Sequence, residues 1–235
     1  MKKTSINTII FDWDGTLHNT SHLYGEAFRY TYSWLVENGY ASPKEYRDEE
    51  TSIYLGMTAK DMWEAFRPDL PTDIKQKAGS MLGQRMDELI SAGEAILYDG
   101  VTQMLDMLKQ SGYKLVILSN CRHAYLEEHR KVFNLDKWFD GYYAAQDYDF
   151  VPKEKIFEHI KESFCGEYVM IGDRKSDIMV GMVQKIRTIG CNYGFGSSDE
   201  LIDADYTVNS IEELCDKILM LAKLLMLSSL NYKVL

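Results

Sequence analysis

The stretch Phe11-Asp12-Trp13-Asp14-Gly15-Thr16 places two carboxylates directly after the apolar run Thr8-Ile9-Ile10-Phe11. A continuous apolar run of this length suits a strand buried on both faces of a parallel sheet. Gly15 permits a sharp turn at its end. Acids crowded there are costly unless a cation, or a functional split of their pKa values, justifies them. A turn with incidental acids is the plainer explanation, but a second cluster makes it hard to sustain. Gly172-Asp173-Arg174-Lys175-Ser176-Asp177 follows another apolar run, Tyr168-Val169-Met170-Ile171. Asp177 falls where it would also cap free N–H groups of the next helix. Asp12, Asp14 and Asp173 together offer the hard oxygen ligands that Mg²⁺ takes, with positions left for water and phosphate. A third run, Leu115-Val116-Ile117-Leu118, ends in Ser119-Asn120, where a hydroxyl and backbone N–H groups can hold a phosphate oxygen. Taken alone, Ser-Asn is equally an ordinary helix entry.

Elements that could bring these clusters together are legible around them. Strand ends in an open α/β sheet share one ligand crevice. Val101, Met104, Leu105 and Leu108 have helical spacing ahead of Gly112 as a stop. Ile211, Leu214, Ile218, Leu221 and Leu225 trace one face of a final helix. Strand, helix and strand in short succession predict an α/β fold with a doubly wound parallel sheet. The segment from about Ser21 to Ala95 shows no convincing strand. Its faces are helical, such as Leu23, Ala27, Tyr30 and Trp34, and Pro43, Pro68 and Pro71 fall at helix starts or stops. The expected organisation is a core of residues 1–18 and 97–235 with an all-helical cap, residues 19–96, inserted after the first strand. The Tyr and Met richness of the cap reads as core packing. Gly194-Phe195-Gly196-Ser197-Ser198 by itself signals only a turn.

Composition narrows the class further. With 235 residues and 46% hydrophobic content, the chain can bury a core without staples. Lys plus Arg number 26 against 36 Asp plus Glu, a net charge of −10. That balance disfavours nucleic acid polymers and anionic membranes, which need a basic footprint. It leaves room for a small phosphorylated ligand at a local positive site. Cys121, Cys165, Cys191 and Cys215 form no CxxC pair and are expected to be reduced, buried thiols. No signal or membrane-spanning run is recognised, so the expected setting is the cytoplasm. The run Leu224-Leu225-Met226-Leu227 is compatible with packing on the core or with a dimer contact, so monomer and homodimer both stay open.

The motifs resemble those of the haloacid dehalogenase superfamily of phosphatases, in the branch with a helical cap. Asp12 and Asp14 match its D-x-D-G-T, Ser119 its second motif, and Asp173 with Asp177 its G-D-x-x-x-D. Met170-Ile171-Gly172-Asp173-Arg174 and Tyr193-Gly194-Phe195-Gly196 look like phosphoglycolate phosphatase-type spellings. The resemblance implies that Asp12 attacks phosphorus to form an aspartyl-phosphate. It implies that Asp14 protonates the leaving oxygen and then deprotonates water. Mg²⁺ would be held by Asp12, the backbone carbonyl of Asp14 and Asp173. Asp177 would orient the metal water or the family's lysine. The usual third motif reads Lys-Pro, whereas here Val151-Pro152-Lys153-Glu154-Lys155 reverses the order. Lys153 is the expected lysine and Lys155 the fallback.

Ser119, Asn120 and Lys153 are thus the expected phosphate contacts, and Gly56, Thr58 and Lys60 the cap's selectivity candidates, although an interhelical turn explains those three equally well. His18 reads as a hinge residue, with substrate contact the lesser alternative. The expected function is Mg²⁺-dependent hydrolysis of a small phosphorylated metabolite, such as a phosphoglycolate-like compound, a sugar phosphate or a nucleotide. A sugar-phosphate mutase of the same superfamily and a non-catalytic binding module are the alternatives.

Overall fold

In the computed structural model, the backbone is described for residues 6–231 and the side chains through residue 221. The first apolar run lies in β1 (Ile6–Phe11), at the centre of a six-stranded sheet. The others are β2 (Lys114–Ser119), β3 (Gly141–Ala144), β4 (Glu167–Gly172), β5 (Arg187–Cys191) and β6 (Tyr206–Val208). Their order is β3-β2-β1-β4-β5-β6, and every pairing is parallel. Side chains alternate across the sheet, which explains the unbroken apolar runs. Ile9 and Phe11 pack with Leu115, Ile117, Val169 and Ile171 on one face; Ile10 packs with Val116, Leu118 and Met170 on the other.

Helices cover both faces. α5 (Val101–Gln110) buries Val101, Met104, Leu105 and Leu108, the four residues its spacing predicts. α6 (His123–Val132) follows β2, α7 (Lys153–Ser163) follows β3, and α8 (Lys175–Gln184) joins β4 to β5. In α9 (Ile211–Asn231), Ile211, Leu214, Ile218 and Leu221 are buried. The side chains at 224–227, and so the packing alternatives raised for them, lie outside the described residues. The chain winds from β1 through β2 to β3, then returns past β1 to begin β4. The switch point therefore falls between β1 and β4, where Phe11 pairs with Ile171 and both acid clusters begin.

Between β1 and α5 lie four helices and, among the described residues, no strand of the sheet: α1 (Ser21–Glu37), α2 (Asp48–Ser52), α3 (Ala59–Phe66) and α4 (Thr72–Ser91). The two connections run side by side. Asn19 N–H donates to Ile96 O at 2.9 Å, Tyr98 N–H donates to Leu17 O at 3.0 Å, and His18 bridges Leu97. Phe28, Tyr32, Tyr46, Tyr54 and Phe66 form an aromatic cluster inside the helical segment.

Several expectations need correction. The buried face of α1 is Leu23, Tyr24, Ala27, Phe28, Thr31, Tyr32 and Leu35, while Tyr30 is 55% exposed. Tyr30 is three residues beyond Ala27, but Thr31 and Phe28 take the inward positions instead. Cys165 is exposed, Cys121 and Cys215 are half-buried, and only Cys191 is buried; all four are free thiols. No helix among the described residues is long and apolar enough to cross a membrane.

Candidate active site at the sheet switch point

The strand ends deliver their polar residues to one place. Asp12, past β1, is 3% exposed, and its N–H donates to Ile171 O at 2.8 Å, which ties it to β4. Lys153 is the first residue of α7, with Pro152 as the residue before the helix, and is 2% exposed. Its Nζ donates to Asp12 Oδ1 at 2.7 Å and to Asp177 Oδ1 at 2.6 Å. Lys155 is exposed on the same helix, so the reversed Pro-Lys order still delivers a lysine to the acids, and Lys153 is that lysine. Asp177 is fully buried; its Oδ2 accepts from Arg174 N–H at 3.0 Å, closing the first turn of α8 as expected.

Carboxylate oxygens of Asp12, Asp173 and Asp177 lie within 4.8 Å of one another. Asp14's carboxylate does not join them, which leaves its backbone carbonyl as the group expected to face a cation. The chain turns at Gly15 (φ +81°) and directs Asp14 towards the helical connection. There its Oδ1 accepts from Tyr125 OH at 2.6 Å and Thr20 Oγ1 at 2.7 Å, and lies 3.0 Å from His18 Nδ1. Thr20 precedes α1 but spends its hydroxyl on Asp14 instead of capping the helix. His18 and His129 meet edge to face with ring centroids 4.4 Å apart, and Trp13 stacks on His18.

Asp173 is enclosed by three glycines. A Cβ at Gly15 would meet Asp173 Oδ2 at 2.3 Å, at Gly194 its Cβ at 2.3 Å, and at Gly196 its carbonyl oxygen at 1.8 Å. Phe195 N–H donates to Asp173 Oδ2 at 2.6 Å. Gly194-Phe195-Gly196 is therefore more than a turn: only glycine lets it close over this carboxylate. Asp173 Oδ1 is buried without any partner.

Charge balance in the cluster is poor. Burial raises the Asp12 pKa well above the usual carboxylate range, and Lys153 offsets this only in part. Burial, reinforced by Asp177, raises Asp173 to about 7. Burial disfavours the Lys153 ammonium, but Asp12 and Asp177 outweigh it and hold the lysine above its ordinary range. Burial also opposes ionisation of Asp14, yet its bonds to His18 and Tyr125 win and hold it below the usual range. Three buried acids share one ammonium, and Asp173 keeps an unsatisfied oxygen. A divalent cation fits this donor set and would restore ionisation of the acids.

A pH dependence follows from Asp173. Folded, it binds its proton up to about pH 7; unfolded, only to about pH 3.8. Between those values the folded chain holds more protons, so stability falls as pH rises through that window. In EDTA, the melting temperature of Asp173→Asn should move increasingly above wild type from pH 4 to pH 7. A difference that stays constant across that range would contradict the raised pKa.

Beside this cluster lies a cavity of about 340 Å³ between the sheet and the helical segment. Asp12, Asp14, Ser119, Asn120 and Lys153 border it from the sheet side. Gly56 borders it from the helical side, and Asn120 Nδ2 donates to Gly56 O at 3.5 Å. Thr58 does not line the cavity: its hydroxyl caps α3, accepting from Asp61 N–H at 3.2 Å. Lys60 and His18 also stay off the cavity wall; Lys60 is exposed, and His18 is buried in the crossing with Leu97.

Sequence reasoning missed Tyr125, Arg122 and the methionines of the helical segment. Tyr125 lies 111 residues from Asp14, so no spacing signal connects them. Arg122 Nη2 donates to Gly83 O at 3.0 Å and to both oxygens of Asp87, at 2.8 and 3.0 Å, joining the sheet side to α4. Met57, Met62 and Met86 line the cavity instead of serving only as core.

Comparison with known proteins places the chain in a family. Residues 9–191 match the family model described as haloacid dehalogenase-like hydrolase. The chain is 27% identical over 221 residues to the pyrophosphatase PpaX of Halalkalibacterium halodurans, covering 90% of this chain and 96% of that one. Among solved structures it resembles a predicted phosphatase from Clostridium acetobutylicum, with TM-score 0.76, 25% identity and coverage of 92% and 100% of the two chains. A predicted phosphoglycolate phosphatase from Haemophilus somnus shares the fold at TM-score 0.75 and 18% identity, with 90% and 97% coverage. By the match over most of its length, the parallel sheet and the order of its motifs, the chain belongs to the haloacid dehalogenase-like hydrolases.

Proposed function

We propose that this hydrolase is a Mg²⁺-dependent phosphatase acting on a small phosphorylated metabolite through an aspartyl-phosphate on Asp12. The observation that carries it is the cluster of three buried carboxylates, two of them paired with Lys153, whose Asp12 and Lys153 also border a cavity that reaches Ser119 and Asn120. Lys153 holds Oδ1 of Asp12, and no protein donor among the described residues takes Oδ2, which suits Oδ2 to in-line attack on phosphorus. Both Asp177 oxygens are already engaged, so Asp177 positions Lys153 while Asp12 and Asp173 keep free lone pairs for the cation. The backbone carbonyl of Asp14 is the remaining protein ligand in this reading. Bound Mg²⁺ would neutralise phosphate charge beside the acids.

Ser119 and the N–H groups after β2 would receive the transferring phosphoryl oxygens. The P–O bond to the leaving group breaks as the Asp12 bond forms, and the leaving oxygen takes a proton from Asp14. Asp14 then removes a proton from the water that hydrolyses the acyl-phosphate. Its contacts with His18 and Tyr125 hold its carboxyl below the usual range, which suits the second half-reaction; protonating a leaving group requires it to exchange Tyr125, Thr20 or His18 for substrate. The paired connections at residues 17–19 and 96–98 are where we place the hinge of a cap, residues 19–96, on a core of residues 1–18 and 97–235. A cytoplasmic setting belongs to this reading, on the strength of four free thiols.

A panel of phosphoesters with inorganic phosphate as readout tests the proposal. Turnover should require Mg²⁺ and stop in EDTA, and a phosphosugar should yield free phosphate. Undiminished turnover in EDTA, or accumulation of a phosphosugar isomer instead, would count against it. The names of the PpaX relatives make pyrophosphate the second substrate to include.

A further inference from the structure

From the cavity wall facing the acids, we infer that the substrate's leaving group is an uncharged, largely apolar alcohol, not a second phosphate or a carboxylate. The inference rests on the phosphatase reading for which end of the ligand meets Asp12. Opposite that end the wall is Tyr54, Leu55, Met57, Met62, Leu82 and Met86, all from the helical segment. Met57 is 37% exposed and stands at the rim, while Met62, Leu82 and Met86 are buried behind it.

Only two cationic side chains border the cavity among the described residues, Lys153 and Arg122. Lys153 is held between Asp12 and Asp177, and would serve the transferring phosphoryl group. Arg122 is paired with both oxygens of Asp87. An anionic leaving group would thus lie against thioether and aliphatic surface with no free positive partner, losing hydration without replacement. The cavity volume of about 340 Å³ also exceeds what a compact dianion fills, and falls in the range that encloses larger, mainly apolar ligands. Apolar contact with a carbon skeleton uses all of this surface, and flexible methionines can conform to it.

Calorimetric titration of the Mg²⁺-loaded protein with methyl-, propyl- and hexylphosphonate and with methylenediphosphonate tests this without requiring turnover. Affinity should rise about two- to fourfold per methylene, following burial of apolar surface. Hexylphosphonate should bind more tightly than methylenediphosphonate. In Met57→Ser, a rim change that the fold tolerates, the hexyl-to-methyl affinity ratio should fall about threefold; Met86→Ala should reduce it further. A flat series, tightest binding by methylenediphosphonate, or binding of none of the four overturns the inference. Hydrolysis of p-nitrophenyl phosphate, measured in parallel, separates the two claims. Its absence alongside a rising series sinks the phosphatase reading alone. Its presence alongside a flat series sinks the apolar leaving group alone.

Discussion

Asp12→Asn should abolish hydrolysis of p-nitrophenyl phosphate, with a loss on the order of 10⁴-fold or more, while leaving the fold intact. Loss of a covalent nucleophile has effects of this size because the remaining residues cannot supply the bond it forms. The substitution is nearly isosteric, and the amide oxygen can still accept from Lys153 at the position of Oδ1. It also removes a charge that burial disfavours, so the melting temperature should stay within about 4 °C of wild type. Unchanged Mg²⁺-dependent turnover in this variant would dispose of the aspartyl-phosphate. A matched loss of activity and of cooperative unfolding would show that Asp12 is needed for folding instead.

Removing the lysine should cost both activity and stability. Lys153→Ala leaves Asp12 and Asp177 buried without their shared cation, and breaking such a group costs about 3–5 kcal/mol. For a chain of this size that corresponds to a fall in melting temperature of roughly 10 °C. Lys153→Met keeps most of the buried stem and isolates the charge. It should lose on the order of 10²-fold or more in kcat/KM, the range for removing one electrostatic partner of the reacting groups. Lys155→Ala should change stability by no more than about 0.5 kcal/mol, because its side chain is exposed. Equal activity in Lys153→Met and wild type would remove Lys153 from the mechanism.

The contrast between these two lysines shows where local reading stops. Both stand at the entry of α7, two residues apart, and only packing buries one against Asp12. Similarly, residue type alone does not distinguish the surroundings of the Asp14 and Asp173 carboxylates. The turn at Gly15 sends Asp14 to Tyr125 and Thr20, while two glycines of another loop close over Asp173. The short strands β3, β5 and β6 escaped notice for a related reason. Their residues, such as Tyr142, Thr188 and Tyr206, are strand-like only beside the neighbours with which they pair.

The order of the acidic and polar motifs, the three long apolar strands and the helical insertion were written in the sequence. Each depends on neighbours in the chain: the alternation that buries β1 on two faces, the spacing of α5, the glycine after a strand. Which carboxylates cluster, which lysine reaches them and what lines the neighbouring cavity were decided only by the tertiary structure. Those properties depend on burial and on contacts between residues such as Asp14 and Tyr125, 111 positions apart. Distance along the chain carries no record of either.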